Sequence, residues 1–236
     1  MKEWSRMPSY WLRDGQHPSL PAMKWIGENK SDQIAALMIY VVLVHNASDK
    51  PSAGNPELGI SRLTYTEIGE IAGLSRAKIS GGLKVLMALE VISSIGLGRN
   101  NVYKIVNFEA QGGWAKLPAK GLYSKDYRKI DAFHKLHLRS KNELNALKLY
   151  LTIIALRNDA TNYAQVGYEK LTGYTGIHRN EIKSALSLLI NLGLIQVDSA
   201  ISEINQFATV NMYRPSHLEP YKHKGTTARK LGEIID

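Results

Sequence analysis

Two stretches carry side chains suited to recognition chemistry. Residues 73–92 read GLSRAKISGGLKVLMALEVI, and residues 175–195 read TGIHRNEIKSALSLLINLGLI. The first contains Arg76, Lys78, Ser80, Gly81 and Lys84, and the second contains Arg179, Asn180, Lys183 and Ser184. A guanidinium can bind guanine or phosphate through two parallel hydrogen bonds, and an asparagine amide can do the same with adenine. Lysines suit phosphates, which position a protein on a duplex without specifying sequence. Nothing comparable points to covalent catalysis. No GxxxxGK[ST], HExxH or GxSxG pattern occurs, and there are no cysteines. His134 and His137 stand three residues apart beside Asp131. On a helix they would share a face, but a solvated basic surface accounts for them. No enzyme activity, cofactor, metal or small-molecule ligand is indicated.

These residues need helices to present them. With Ile79 at the centre of a buried face, Leu83, Leu86 and Leu89 fall on that face and Gly82 on its flank. Ala77, Gly81 and Lys84 fall opposite, between Ser80 and Lys78. The second stretch buries Ile182, Leu186 and Leu189 and turns Asn180, Ser184 and Ser187 outward, with Lys183 beside them. Adjacent glycines are costly inside a helix, about 0.8–1.0 kcal/mol each. Gly82 reads as a close helix crossing. Gly81 reads as an outward position where the backbone nears DNA, so that serine there should be tolerated by the fold.

The two stretches are copies. Displaced by 103 residues, Leu63–Ile92 lies over Val166–Ile195, matching Tyr65/Tyr168, Gly73/Gly176, Arg76/Arg179, Ile79/Ile182 and Leu86/Leu189. Displaced by 110, DQIAALMIYVVLV from Asp32 lies over NELNALKLYLTII from Asn142. The seven-residue difference belongs in NASDKPSAGNPELG, which is rich in turn formers. Ser31 is a candidate cap for the first long helix. Ser140 with Glu143 and Thr64 with Glu67 read as capping boxes, and Ser75 reads as a cap. Gly73 and Gly176 make the turns between helices. Each copy ends in two β-branched runs around a polar loop, Val91–Ile95 with Val102–Phe108 and LIQVDSAISEINQFATVNMY.

Helices, a glycine turn and a closing hairpin, twice over, resemble the winged-helix superfamily. The resemblance implies a mainly α fold with small β-hairpins (α+β), built as two tandem winged helix-turn-helix domains. Two such domains without an effector domain resemble in architecture the replication initiators of plasmids and phages. It further implies that Arg99 and Asn100, at the tip of the first hairpin, reach a minor groove or the backbone. The second hairpin, with Asp198 and Glu203, is a poorer DNA contact. The expected division is an arm at 1–30, a first domain at 31–110, a basic connector at 111–139, a second domain at 140–213 and a basic tail at 214–236.

Charge agrees with a polyanionic partner. The chain of 236 residues carries a formal net charge of +9 and has a sequence pI near 9.5. The stretch 111–145 holds eight Lys and Arg against three acidic residues. Trp4, Trp11 and Trp25 should pack on the first domain or join two copies into a homodimer. The start of the chain lacks the apolar core of a signal peptide, and its longest apolar run, Ile34–Val44, is too short to span a bilayer. These features lead to a cytoplasmic protein binding double-stranded DNA, with no membrane partner. Its role would be replication initiation or, alternatively, transcription regulation. An adaptor whose winged helices bind protein is the third reading.

Overall fold

The structure is a computed structural model describing residues 2–13, 20–51, 57–95, 101–109, 113–201 and 209–219. One order of elements occurs twice in a mixed α+β fold. The first unit comprises β1 (Trp4–Pro8), α1 (Tyr10–Arg13), α2 (Asp32–His45), β2 (Ile60–Arg62), α3 (Tyr65–Ala72), α4 (Arg76–Ala88), β3 (Ile92–Ser94) and β4 (Val102–Ile105). The second comprises β5 (Trp114–Pro118), α5 (Asp131–His134), α6 (Lys141–Leu156), β6 (Ala164–Gln165), α7 (Tyr168–Thr175), α8 (Arg179–Asn191), β7 (Ile195–Ile201) and β8 (Thr209–Pro215). Each unit closes with an antiparallel three-stranded sheet, β2-β4-β3 or β6-β8-β7.

Local chemistry accounts for the helix starts. Thr64 with Glu67 and Ser140 with Glu143 form reciprocal caps, and the Ser75 side chain accepts from the Lys78 N–H. Ser31 does not cap α2. Its hydroxyl instead accepts from Lys78 Nζ at 2.7 Å. Gly73 and Gly176 adopt φ of +71° and +67°, the left-handed turn that each helix pair requires. Ahead of Gly176, the ammonium of buried Lys148 donates to the Thr175 carbonyl at 2.8 Å. Burial lowers the Lys148 pKa to about 8.

Parts of the stretches set apart above as arm and connector, among them Met7, Trp11, Leu12, Leu117, Ile130 and Phe133, are built into the core. β1 pairs antiparallel with β5, Trp4 opposite Pro118, Arg6 opposite Lys116 and Pro8 opposite Trp114. The two strands are themselves copies: WSRMP lies over WAKLP at the displacement of 110. Their pairing is centred on Arg6 and Lys116, so a half-turn exchanges the strands. Side-chain contacts obey the same exchange. Arg6 lies over the Trp114 ring at 5.6 Å, and Lys116 lies over the Trp4 ring at 5.2 Å. The two indoles stack at 5.9 Å and 15°.

Each lead segment also reaches across to the other unit's helical turn. Pro21 lies against Gly176, and His134 lies against Gly73. His134 Nε2 is 3.0 Å from the Glu70 carbonyl oxygen, whereas His137 lies beyond the end of α5. The two histidines therefore do not share a helix face. Trp11 packs edge-on against Tyr40 of α2 and donates to its hydroxyl at 3.1 Å. One continuous apolar cluster includes residues from α2, α6 and both lead segments.

Candidate nucleic-acid interface

The contact between the first long helix and the last helix of each unit decides which residues of the latter face solvent. In the first unit, Lys78 Nζ pairs with Asp32 Oδ1 at 2.8 Å. A Cβ on Gly81 would clash with the Asp32 carboxylate. In the second unit the displacements of 103 and 110 replace Lys78 by Glu181, Gly81 by Ser184, and Ser31 and Asp32 by Lys141 and Asn142. Lys141 Nζ pairs with Glu181 Oε1 at 2.7 Å, and the Ser184 hydroxyl lies 3.0 Å from Asn142 Oδ1. One helix contact thus occurs twice with its charges exchanged.

This corrects the placement of Gly81 and of the residues beside it. Gly81 does not face outward: it is half-buried beneath the Asp32 carboxylate, and the lack of a Cβ is what lets α2 approach. Lys78 is half-buried and directed to Asp32, whereas Ser184 hydrogen-bonds to Asn142 and stays exposed. A helical wheel centred on Ile79 finds the buried face, but it does not show which flank a neighbouring helix covers. Gly82 is as expected. Its added Cβ would lie 2.7 Å from Ile39 Cδ1 and 2.9 Å from the Ala36 nitrogen.

The faces that remain open correspond residue by residue. On α4, Arg76, Ala77 and Lys84 are exposed and Ser80 is half-buried. On α8, Arg179, Asn180, Lys183, Ser184 and Ser187 are exposed. Each face presents two cations not neutralised by the flanking helix, because Lys78 and Glu181 are both spent in ion pairs. The carboxylate of Glu181 is held by Lys141. Both faces end in an exposed apolar side chain, Met87 at 38% and Ile190 at 47% exposure. The two align at the displacement of 103, which is the signal for them in the sequence. Arg99 and Asn100 lie outside the described residues, as does Glu203. Asp198, on β7, accepts a hydrogen bond from the Tyr163 hydroxyl at 2.6 Å.

The shared glutamate of the second capping box is well held. Glu143 accepts from the backbone N–H groups of His137, Arg139 and Ser140 at 2.6–3.0 Å. Burial raises its pKa, but these hydrogen bonds outweigh burial and the net shift is downward. A charged Glu143 therefore fixes the turn that leads into α6, whose first residues carry Lys141 and Asn142 to α8.

Among the described residues, no helix is long and apolar enough to cross a membrane. No curated protein matches the chain. Residues 143–195 match a protein family described as Helix-turn-helix domain. The match runs from within α6 through α7 and α8, with the left-handed Gly176 turn between the last two. DNA is the partner that such a domain suggests.

Proposed function

We propose that both units are winged helix-turn-helix modules and that one chain reads one duplex DNA site with both α4 and α8. The observation that carries this is the correspondence of the two open faces. Arg76, Ala77, Ser80 and Lys84 on one helix answer Arg179, Asn180, Lys183 and Ser187 on the other. An α-helix with small and polar exposed side chains fits a major groove. The arginines near the helix starts serve guanine or phosphate, Asn180 serves adenine, and Lys84 and Lys183 serve phosphates.

The half-turn relating β1 to β5 supports a site made of two inverted, non-identical half-sites. The biological role we favour is initiation of replication on a plasmid-like or phage-like element. The alternative is a transcription regulator at an operator. An array of such sites beside the gene supports initiation, and a single site over a promoter supports regulation.

The test is the salt dependence of binding to the flanking DNA. Each lost phosphate contact reduces the log–log slope by about 0.9. Arg76→Ala with Lys84→Ala, and separately Arg179→Ala with Lys183→Ala, should each weaken binding and flatten that slope. A slope unchanged by either pair removes the corresponding helix from the interface. Absence of any preference over random duplex at physiological salt leaves only the third reading, a protein-binding adaptor.

A further inference from the structure

A cavity of about 770 Å³ opens between the start of the chain, the segment after β5 and the residues after β8. At its wall lies Lys116, only 5% exposed. Among the described residues its ammonium has no hydrogen bond and no ion pair, only the Trp4 ring at 5.2 Å. The carboxylate that acts on it, Asp159, is paired with Arg157 at 3.1 Å. Burial and the Arg157 charge both disfavour the ammonium and lower its pKa. An ammonium at the cavity wall with no counter-charge leaves room beside it for an anion.

The remaining wall has a definite chemistry. Lys120 and Lys125, both exposed, add two cations. Tyr127, at 45% exposure, adds flat aromatic surface, and Tyr123 lines the wall at 7% exposure. Glu3 and Glu219 supply carboxylates that can accept hydrogen bonds from hydroxyl or amino groups. The opposite side of the molecule differs. There the Lys116 counterpart, Arg6, lies over both Trp114 and Phe108. At the displacement of 110, Gly121 stands in place of Trp11, which leaves the cavity side without that indole.

We propose that this cavity binds a nucleoside di- or triphosphate, with Lys116, Lys120 and Lys125 on the phosphates and the base against the tyrosine rings. Bound there, the nucleotide touches both lead segments and the second unit, so it bears on how the two halves are held together. The site is separate from α4 and α8, and its test needs no DNA.

The test is titration of the full chain with ADP and ATP, followed by calorimetry and by tryptophan fluorescence, to which Trp4 contributes. Adenosine and pyrophosphate are run beside them. Saturable sub-millimolar nucleotide binding is expected, with adenosine and pyrophosphate each at least about tenfold weaker. Lys116→Met should weaken binding about tenfold or more, the loss of one charge-assisted contact, and Lys116→Arg should retain most of it. If Lys116→Met does not fold, Lys120→Ala with Lys125→Ala takes its place and should weaken binding severalfold. No saturable binding, equal binding of pyrophosphate, binding indifferent to these substitutions, or competition by random duplex DNA would each overturn the proposal.

Discussion

At position 81, the account departs most from what a helical pattern shows. Gly81 lies beneath Asp32, which Lys78 holds in place, so a side chain there meets a tethered carboxylate. Gly81→Ser should therefore destabilise the fold by about 1–3 kcal/mol, the usual cost of overpacking, measured by urea unfolding. The second unit accommodates a serine at the matching position because Asn142 stands in place of the carboxylate. Adding Asp32→Asn to Gly81→Ser should recover part of the loss, giving a non-additive cycle. Additive losses would mean that the two residues do not meet. Sequence showed that the position was special, since adjacent glycines within an amphipathic helix demand a reason. It could not show the reason, because the covering residue lies 49 positions away in the chain.

At the scale of elements, caps and turns were legible because their chemistry is local. The capping boxes at Thr64 and Ser140 and the turn glycines Gly73 and Gly176 all appear where residue type alone requires them. The two-residue β6 and three-residue β2 were not, since alternation cannot be recognised over so few positions. The pairing of β1 with β5 had a signal, WSRMP against WAKLP, but only tryptophan and proline are identical and the match is five residues long. His45 shows how firmly α2 is joined to the segment after β5. Its Nε2 lies 2.8 Å from the Pro118 carbonyl, and its Nδ1 lies 3.2 Å from the Tyr123 hydroxyl. The neutral ring donates at Nε2 and accepts at Nδ1. Burial lowers its pKa to about 4 from an ordinary 6.5. Its contribution is thus complete above pH 6.5 and is lost as pH falls toward 4. Stability should drop across that window by up to about 1.4 kcal/mol per pH unit. His45→Gln should flatten that dependence in denaturant unfolding at successive pH values, and an unchanged pH profile would contradict the assignment.

At the scale of the molecule, the lead segments make one body of two repeats. Pro21 on Gly176 and His134 on Gly73 mean that neither helical turn is covered by its own unit. The chain should unfold in a single transition, with calorimetric and van't Hoff enthalpies agreeing. Two resolved transitions would show units folding independently. The same construction places two matching faces, α4 and α8, on one body, each with two open cations. The most direct measurement of the central claim is selection of bound sequences from a random duplex pool by the full chain, followed by stoichiometry on the selected site. The account predicts one chain on a bipartite site, with two inverted, non-identical half-sites centred about one helical turn, 34–36 Å, apart. Arg179→Ala with Lys183→Ala should relax only one half. A single half-site unaffected by changes in α4, or no enriched sequence at physiological salt, would contradict it.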